Sequence, residues 1–220
     1  EISGRGAFIN ANDAYLGEFK NYNKEGKGIY INRYGDKYEG IWDKNNCENC
    51  TVHLANGDLF EGAVAKNYNK ILFAGFKSTL TRVNGDKYTG FWVWGKLHSY
   101  WDGETLPVTI QFANGDVWEG VYSYGKIENG ILKSKDGTTY EGNWSYGGYL
   151  DKGKITYANG DTYEGDIRNY KRHGKGEFTS SATNASIEGY WLNDEPHEGK
   201  IPDEGEQYDD ENIPSIGMDH

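Results

Sequence analysis

Six glutamates occur at one recurring place in this chain, each followed at once by glycine: Glu39, Glu61, Glu119, Glu141, Glu164 and Glu188. Carboxylates held about 5 to 9.5 Å apart can act as general acid and base in glycoside cleavage, and rungs two strands apart would fall near the upper end of that range. A catalytic pair, however, needs two unequal environments. A carboxylate repeated in nearly every unit points instead to a shared structural duty, such as pairing with a neighbouring lysine or backbone N–H. A second constellation is Cys47-Glu48-Asn49-Cys50, with His53 three residues on. Zinc takes four ligands, and a metal ribbon needs a second cysteine pair. A thioredoxin-like thiol needs a βαβ context. Neither surrounds these cysteines, so two ordinary thiols are the reading, with a metal or redox role as the alternative. A third is the basic run Arg168, Lys171, Arg172 and Lys175 around His173. It could meet a phosphoinositide headgroup or an acidic partner. It could equally solvate a loop or answer the glutamates. No serine–histidine–aspartate set, phosphate-cradling loop or metal-ligand spacing emerges, and neither cofactor, metal nor catalytic residue is expected.

What positions these residues is a repeat. The phrase Asn-Gly-Asp-x-Tyr-Glu-Gly-x-Trp is written clearly at Tyr34 to Trp42, Asn84 to Trp92, Asn114 to Tyr122 and Asn159 to Ile167, with four fainter copies. Its glycine falls at Gly17, Gly40, Gly62, Gly90, Gly120, Gly142, Gly165 and Gly189, at spacings of 23, 22, 28, 30, 22, 23 and 24. A period in the low twenties means a linear stack of small units. Asn-Gly and Asp-Gly are hairpin signals, and they predict a two-residue type I′ turn with positive φ at both positions. Each repeat is then one hairpin.

Side chains alternate faces along a strand, so Tyr38, Gly40 and Trp42 share one face, while Glu39 and Ile41 share the other. Stacking the repeats lines up three apolar columns. The first holds Tyr15, Tyr38, Phe60, Tyr88, Trp118, Tyr140, Tyr163 and Ile187; the second holds Phe19, Trp42, Val64, Trp92, Tyr122, Trp144, Ile167 and Trp191. The third lies before the turn: Phe8, Tyr30, Val52, Leu80, Ile110, Leu132, Ile155, Phe178 and Ile201. The glycine between the aromatic columns lets rings lean over it or lets the sheet bend there. At about 4.8 Å per strand, eight repeats make a ribbon on the order of 75 to 80 Å long.

Composition agrees. Only 36% of residues are hydrophobic and mean hydropathy is −0.84, while 31 glycines and 18 tyrosines supply turns and rings. Apolar surface comes from aromatics buried against the next repeat, without a deep interior. The longest apolar run, Ile71 to Phe76, falls short of the roughly 20 residues of a spanning helix, and the chain reads as soluble. Net charge is −11, but ten acidic residues against Lys200 place −9 of it between Asp194 and His220, leaving −2 elsewhere. A nearly neutral repeat body argues against nucleic-acid binding. The tail at 203–220 is expected to be a flexible acidic arm or, from Gly199 on, a cap mimicking a ninth repeat. The two long repeats, at about 66–106, carry Phe73, Phe76, Trp94, Tyr100 and Trp101 outside the columns. Rings without a place in the stack are candidates for partner contact or for local packing.

The Asn-Gly-Asp turn, the Tyr-Glu-Gly-x-Trp strand and the connection Lys24-Glu25-Gly26-Lys27-Gly28, echoed at Lys171 to Gly176, resemble the MORN repeat (membrane occupation and recognition nexus). Choline-binding repeats are a more distant likeness, since they centre on Gly-Trp. The resemblance implies an all-β, elongated, single-layer antiparallel sheet of about eight to nine stacked hairpins over 1–202. It also implies a non-enzymatic scaffold for protein contacts in cytoskeletal, ciliary or membrane-associated assemblies of the cytoplasm. Acidic-lipid binding is the alternative, and carbohydrate binding by stacked rings a lesser one. On this reading Tyr38, Trp42, Tyr88, Trp92, Trp118, Tyr122, Tyr140, Trp144, Tyr163 and Trp191 form the structural columns and line a face offered to partners. Edge strands at either end could pair with a second copy.

Overall fold

The computed structural model describes residues 3–67, 70–93, 95–123, 126–145 and 149–200; the side chains described are those of these residues apart from 48, 65–67, 70–76, 101, 123, 126, 145 and 149. The chain is all-β, a single-layer stack of antiparallel hairpins, and forms two compact units, 1–113 and 114–220. In the first unit β1 (Ser3–Ile9), β2 (Ala14–Lys20), β3 (Asn23–Ile31), β4 (Lys37–Asp43), β5 (Asn46–His53), β6 (Leu59–Asn67), β7 (Lys70–Thr81) and β8 (Lys87–Val93) pair in chain order. In the second, β13 (Val117–Ser123), β14 (Lys126–Lys133), β15 (Thr139–Ser145), β16 (Tyr149–Thr156), β17 (Thr162–Arg168), β18 (Lys171–Thr179), β19 (Ser186–Leu192) and β20 (Glu195–His197) do the same.

The two long repeats absorb their extra residues differently. The 28-residue repeat lengthens its strands: β7 has 12 residues and shifts register twice, against β6 near Ala63 and against β8 between Gly75 and Ser78. The 30-residue repeat splits its return strand. β9 (Lys96–His98) pairs with the end of β8 and β12 (Val108–Gln111) with its start, and a two-stranded excursion, β10 (Tyr100–Trp101) and β11 (Glu104–Thr105), leaves between them. Leu106 N–H donates to Ser99 C=O and closes the excursion at its base.

The turns differ from the type I′ geometry predicted for Asn-Gly. Around Asn56, Gly57 N–H donates to Leu54 C=O at 2.9 Å, Leu54 N–H donates to Asp58 C=O at 2.9 Å, and only Gly57 has positive φ, 94°. This is a type I turn followed by a left-handed glycine, the three-residue hairpin loop with its bulge. The same pattern holds at Gly85, Gly137 and Gly160. Two-residue loops with paired positive φ do occur, but at the opposite ends of the strands: Asn21-Tyr22, Lys44-Asn45, Asn169-Tyr170 and Asn193-Asp194. The Asp that follows the glycine explains the longer loop. Its carboxylate accepts the N–H of the next turn, Asp36 from Ala55 at 2.9 Å, Asp58 from Val83 at 2.9 Å, Asp86 from Ala113 at 2.8 Å, Asp116 from Lys135 at 2.8 Å and Asp161 from Ser181 at 2.8 Å. Each turn is thereby stapled to its neighbour.

The rings are the interior. Tyr38, Trp42, Tyr88, Trp92, Trp118, Tyr122, Trp144, Tyr163 and Trp191 are all buried, and Tyr140 is half-buried. A first-column ring meets the second-column Trp of the following repeat edge to face: Tyr15 with Trp42 at 5.8 Å, Phe60 with Trp92 at 5.6 Å, Tyr163 with Trp191 at 5.8 Å. Such pairs add about 0.5 to 1.5 kcal/mol beyond area burial. Glycines make the room. Gly17, Gly28 and Gly40 stand opposite one another, as do Gly120, Gly130, Gly142, Gly153, Gly165, Gly176 and Gly189. A Cβ on Gly28 would meet the Tyr15 ring, one on Gly176 the Tyr163 ring and one on Gly130 the Trp118 ring. Just past this ladder the strands bulge, between Gly17 and Glu18, Ile41 and Trp42, Gly120 and Tyr122, and Gly165 and Ile167.

Candidate functional site: the outward face

Because the rings are turned inward, the aromatic lining expected to face partners is not an exposed surface. What the sheet shows outward is the opposite face, which carries Glu39, Glu61, Glu119, Glu141, Glu164 and Glu188, all exposed. Lysines answer several of them: Lys37 lies 2.8 Å from Glu39, Lys133 3.8 Å from Glu119 and Lys175 2.9 Å from Glu188. The Lys37 ammonium holds the Glu39 carboxyl below its ordinary range, and Glu188 holds the Lys175 ammonium above its own. Across the strands Lys154 stands between Glu141 and Glu164, whereas Glu164, Glu177 and Glu188 follow one another directly.

Cys47 and Cys50 are free thiols, both buried. Cys50 takes a glycine's place in the ladder, opposite Gly40 and Gly62, and Cys47 faces Trp42 across the bulge with its Sγ 2.5 Å from where a Cβ on Gly40 would stand. A hydrogen bond between the two pulls the Cys47 thiol down in pKa and, together with burial, pushes Cys50 up. Among the described residues no cluster of His, Cys, Asp and Glu is placed to hold a metal ion. The pair packs where other repeats carry a glycine and an aliphatic residue.

That aliphatic position is a fourth buried column, which the sequence reading missed. The residue facing the second column on the return strand is Lys24 against Phe19, Cys47 against Trp42, Leu97 against Trp92, Ile127 against Tyr122, Leu150 against Trp144 and Arg172 against Ile167. Cys47, Leu97, Ile127 and Leu150 are buried. The two cations fill the same place by lying on rings. Lys24 Nζ stands 4.6 Å from the Tyr30 centroid, 5.5 Å from Trp42 and 5.6 Å from Tyr15; Arg172 stands 4.3 Å from Trp191, 5.0 Å from Phe178 and 5.9 Å from Tyr157. Charged residues at this position in two repeats, Lys24 and Arg172, hid the column from a hydrophobicity reading.

The basic run is therefore divided. Arg172 is committed inward, with its guanidinium donating to Asp194 C=O and its Nε 3.4 Å from the Asp194 carboxylate. Lys175 is committed outward to Glu188, and Arg168 and Lys171 stand opposite each other at the hairpin end. The four do not gather on one face. Of the unplaced rings, Tyr100 is 48% exposed on the excursion; the side chains of Phe73, Phe76, Trp94 and Trp101 lie outside the described residues, as do Ile201 and the tail.

One outward region is unlike the rest. Leu16 replaces the ladder glutamate in the first repeat, and Ala7, Leu16 and Ile29 stand side by side across β1, β2 and β3, followed by Glu39. Ile9, Ala14 and Ile31 form the next row. Leu16 is 63% exposed, Ile41 62%, Ile9 77% and Ile31 41%. The glycine ladder beneath leaves a groove of about 530 Å³ floored by Gly6, Gly17, Gly28 and Gly40 and edged by Arg5, Lys27 and Glu39. In the second unit the same ladder floors a groove of about 940 Å³ whose sides are charged: Asp151, Lys152, Glu164, Lys175, Glu177 and Glu188. The break in the glutamate ladder at Leu16 was visible in sequence. The aliphatic rows around it were not, since they join residues from three strands.

Comparison with known proteins agrees with the repeat. The MORN repeat model matches residues 15–33, 88–100, 152–162 and 163–182. Alsin of Rattus norvegicus is 34% identical over 124 residues, and Alsin of Homo sapiens 30% identical over 126. These matches cover 52% and 51% of this chain, and 7% of the length of each Alsin. The TCP10 domain of Danio rerio CPAP aligns over 84% of this chain and 100% of its own length, at 9% identity and a TM-score of 0.23, too low a superposition to support any argument.

Proposed function

We propose that this chain, which carries MORN repeats, is a non-enzymatic protein-interaction module whose docking surface is the outward face of its first two repeats. One observation carries the reading: exposed Leu16 and Ile41, with half-buried Ile29, border a trough on the outward face that is floored by the backbone of Gly6, Gly17, Gly28 and Gly40. Exposed aliphatic clusters of this kind mark interaction sites. An extended or helical partner segment can lower its own side chains to the backbone there. Arg5, Lys27 and Glu39 at the rim fix its register, because polar rims orient what apolar centres bind.

The mixed charge of the second groove, by contrast, favours water and mobile counterions. Its carboxylates are exposed and recur from repeat to repeat, which fits a solvated structural ladder better than an acid–base pair. The proposal is tested by capturing partners with the wild-type chain and with Leu16→Lys plus Ile41→Lys. Both substitutions lie on exposed sites, so folding should survive, with unchanged circular dichroism, while captured proteins are lost. Retention of every partner by the double variant would reject the site. Loss on Glu164→Lys plus Glu188→Lys instead would move it to the second groove.

A further inference from the structure

Four hairpin turns place an asparagine directly before their left-handed glycine: Asn56-Gly57, Asn84-Gly85, Asn114-Gly115 and Asn159-Gly160. In a flexible chain this pair is chemically labile. The glycine nitrogen, with no side chain beside it, attacks the asparagine Cγ. The new N–Cγ bond closes a cyclic imide, and the amide nitrogen leaves as ammonia, taking the glycine proton with it. Water then opens the imide at either carbonyl, leaving aspartate or isoaspartate, a covalent change that adds a negative charge.

All four asparagines are exposed, so burial does not protect them. Hydrogen bonds do. The Asn56 amide donates to the Asp58 carboxylate at 3.0 Å, and its oxygen accepts the Asp58 N–H at 3.0 Å. Asn84 with Asp86, Asn114 with Asp116 and Asn159 with Asp161 repeat this bracket, the amide donating at 2.8 Å in each. The attacking nitrogen is engaged as well. Gly57 N–H donates to Leu54 C=O at 2.9 Å, Gly85 N–H to Arg82 C=O at 2.9 Å and Gly160 N–H to Tyr157 C=O at 2.8 Å. Attack requires that this proton leave and that the side chain swing off its aspartate. The carboxylate beside Cγ also repels the negative charge that develops there.

The product cannot take the reactant's place. An aspartate at any of these positions would set its carboxylate against that of Asp58, Asp86, Asp116 or Asp161, where an amide now donates. Two other turns keep the same exclusion by different residues. Asp136 precedes Gly137, and there the residue two places on is Thr138, whose N–H donates to the Asp136 carboxylate at 2.8 Å. In the turn at Gly35 the partner of Asp36 is Asn32, whose amide donates to the carboxylate at 2.8 Å. We propose that the four asparagines are modification sites governed by folding. A closed turn keeps its amide, an opened turn loses ammonia, and the resulting carboxylate hinders that turn from closing again. The chain thereby carries a lasting record of which hairpins have opened, independent of its docking face.

Peptide mass spectrometry after timed incubation in mildly alkaline buffer tests the first half. The folded wild-type chain is expected to convert these asparagines at least about tenfold more slowly than the same chain in urea, a comparison that needs no variant. Asp86→Ala releases the Asn84 side chain and leaves the dipeptide intact. It should speed conversion at Asn84 about tenfold, equivalent to about 1.4 kcal/mol, with Asn56 and Asn159 unchanged. Asp86→Asn, whose amide oxygen still accepts, should fall between. Denaturant unfolding tests the second half. Asn84→Asp, the product made by mutation, is expected to weaken folding about tenfold on its own and less than about threefold when combined with Asp86→Thr, which copies the Asp136-Gly137-Thr138 turn. Equal conversion in native buffer and in urea overturns the proposal. So does conversion at Asn84 that ignores Asp86→Ala, or an Asn84→Asp penalty that is the same with and without Asp86→Thr.

Discussion

A single side chain in this protein is best understood by its column. Arg172 looks in sequence like part of a basic patch, but its position is held by Leu97, Ile127 and Leu150 in other repeats, and its guanidinium lies 4.3 Å from the Trp191 ring. Arg172→Ala is expected to lower stability by about 1 to 2 kcal/mol through lost ring contact and stem packing, whereas Arg172→Leu should cost less than half of that. Denaturant unfolding of the two variants decides it; equal losses would mean that the Asp194 contact, not the ring stack, matters. Glycine follows the same logic. Gly28→Ala drives a methyl into the Tyr15 ring and should cost about 1 to 3 kcal/mol, while Gly189→Ala, with nothing within 4 Å of its Cβ and ordinary φ, should stay within about 0.5 kcal/mol of wild type. The buried tyrosines set an alkaline limit. Burial pushes the Tyr15, Tyr38 and Tyr140 hydroxyls up to about 12, and burial moves Tyr30 and Tyr163 upward as well. A folded-state pKa above the unfolded value of 10.0 means that the folded form holds its proton longer. That stability is complete below pH 10 and is lost as pH climbs towards 12. Ultraviolet titration should therefore show these phenols ionising together with loss of ellipticity, not before it.

The element at work is the hairpin with its aspartate staple. Asp86 receives the Ala113 N–H at 2.8 Å and an Asn84 amide N–H at 2.8 Å, tying one turn to the next. A charge-assisted hydrogen bond of this type contributes about 1.5 to 3 kcal/mol, so Asp86→Ala should destabilise the chain by a sizeable part of that. Asp86→Asn should lose less, since an amide oxygen can still accept. Thermal melts of the pair measure the difference. The excursion of β10 and β11 is the opposite case. It leaves the sheet at Ser99 and returns at Leu106, whose backbones are already hydrogen-bonded. Replacing Tyr100–Thr105 by Asn-Gly should then leave the melting temperature within a few degrees of wild type. A large drop would show that the excursion supports β8, β9 and β12 rather than merely branching from them.

At the scale of the whole molecule each repeat touches little beyond its neighbours, so stability is a sum of local terms. Trp42→Ala should raise hydrogen exchange in β2 to β6 and leave β17 to β19 at wild-type protection; a uniform rise would point to one cooperative core instead. The sequence by itself determined the all-β class, the stack of hairpins, the three columns and the outward ladder, since a turn glycine every twenty-odd residues and alternation along a strand are local constraints written in adjacent residues. It could not determine the loop type, because Asn-Gly serves a two-residue and a three-residue turn alike, and the choice depends on an N–H contributed by the next repeat. It could not show that Lys24 and Arg172 belong to the interior, because a cation is buried there by rings from other strands. Nor could it bring Ala7, Leu16 and Ile29 into one row. Cross-strand register decides which distant residues become neighbours, and that is a property of the folded sheet alone.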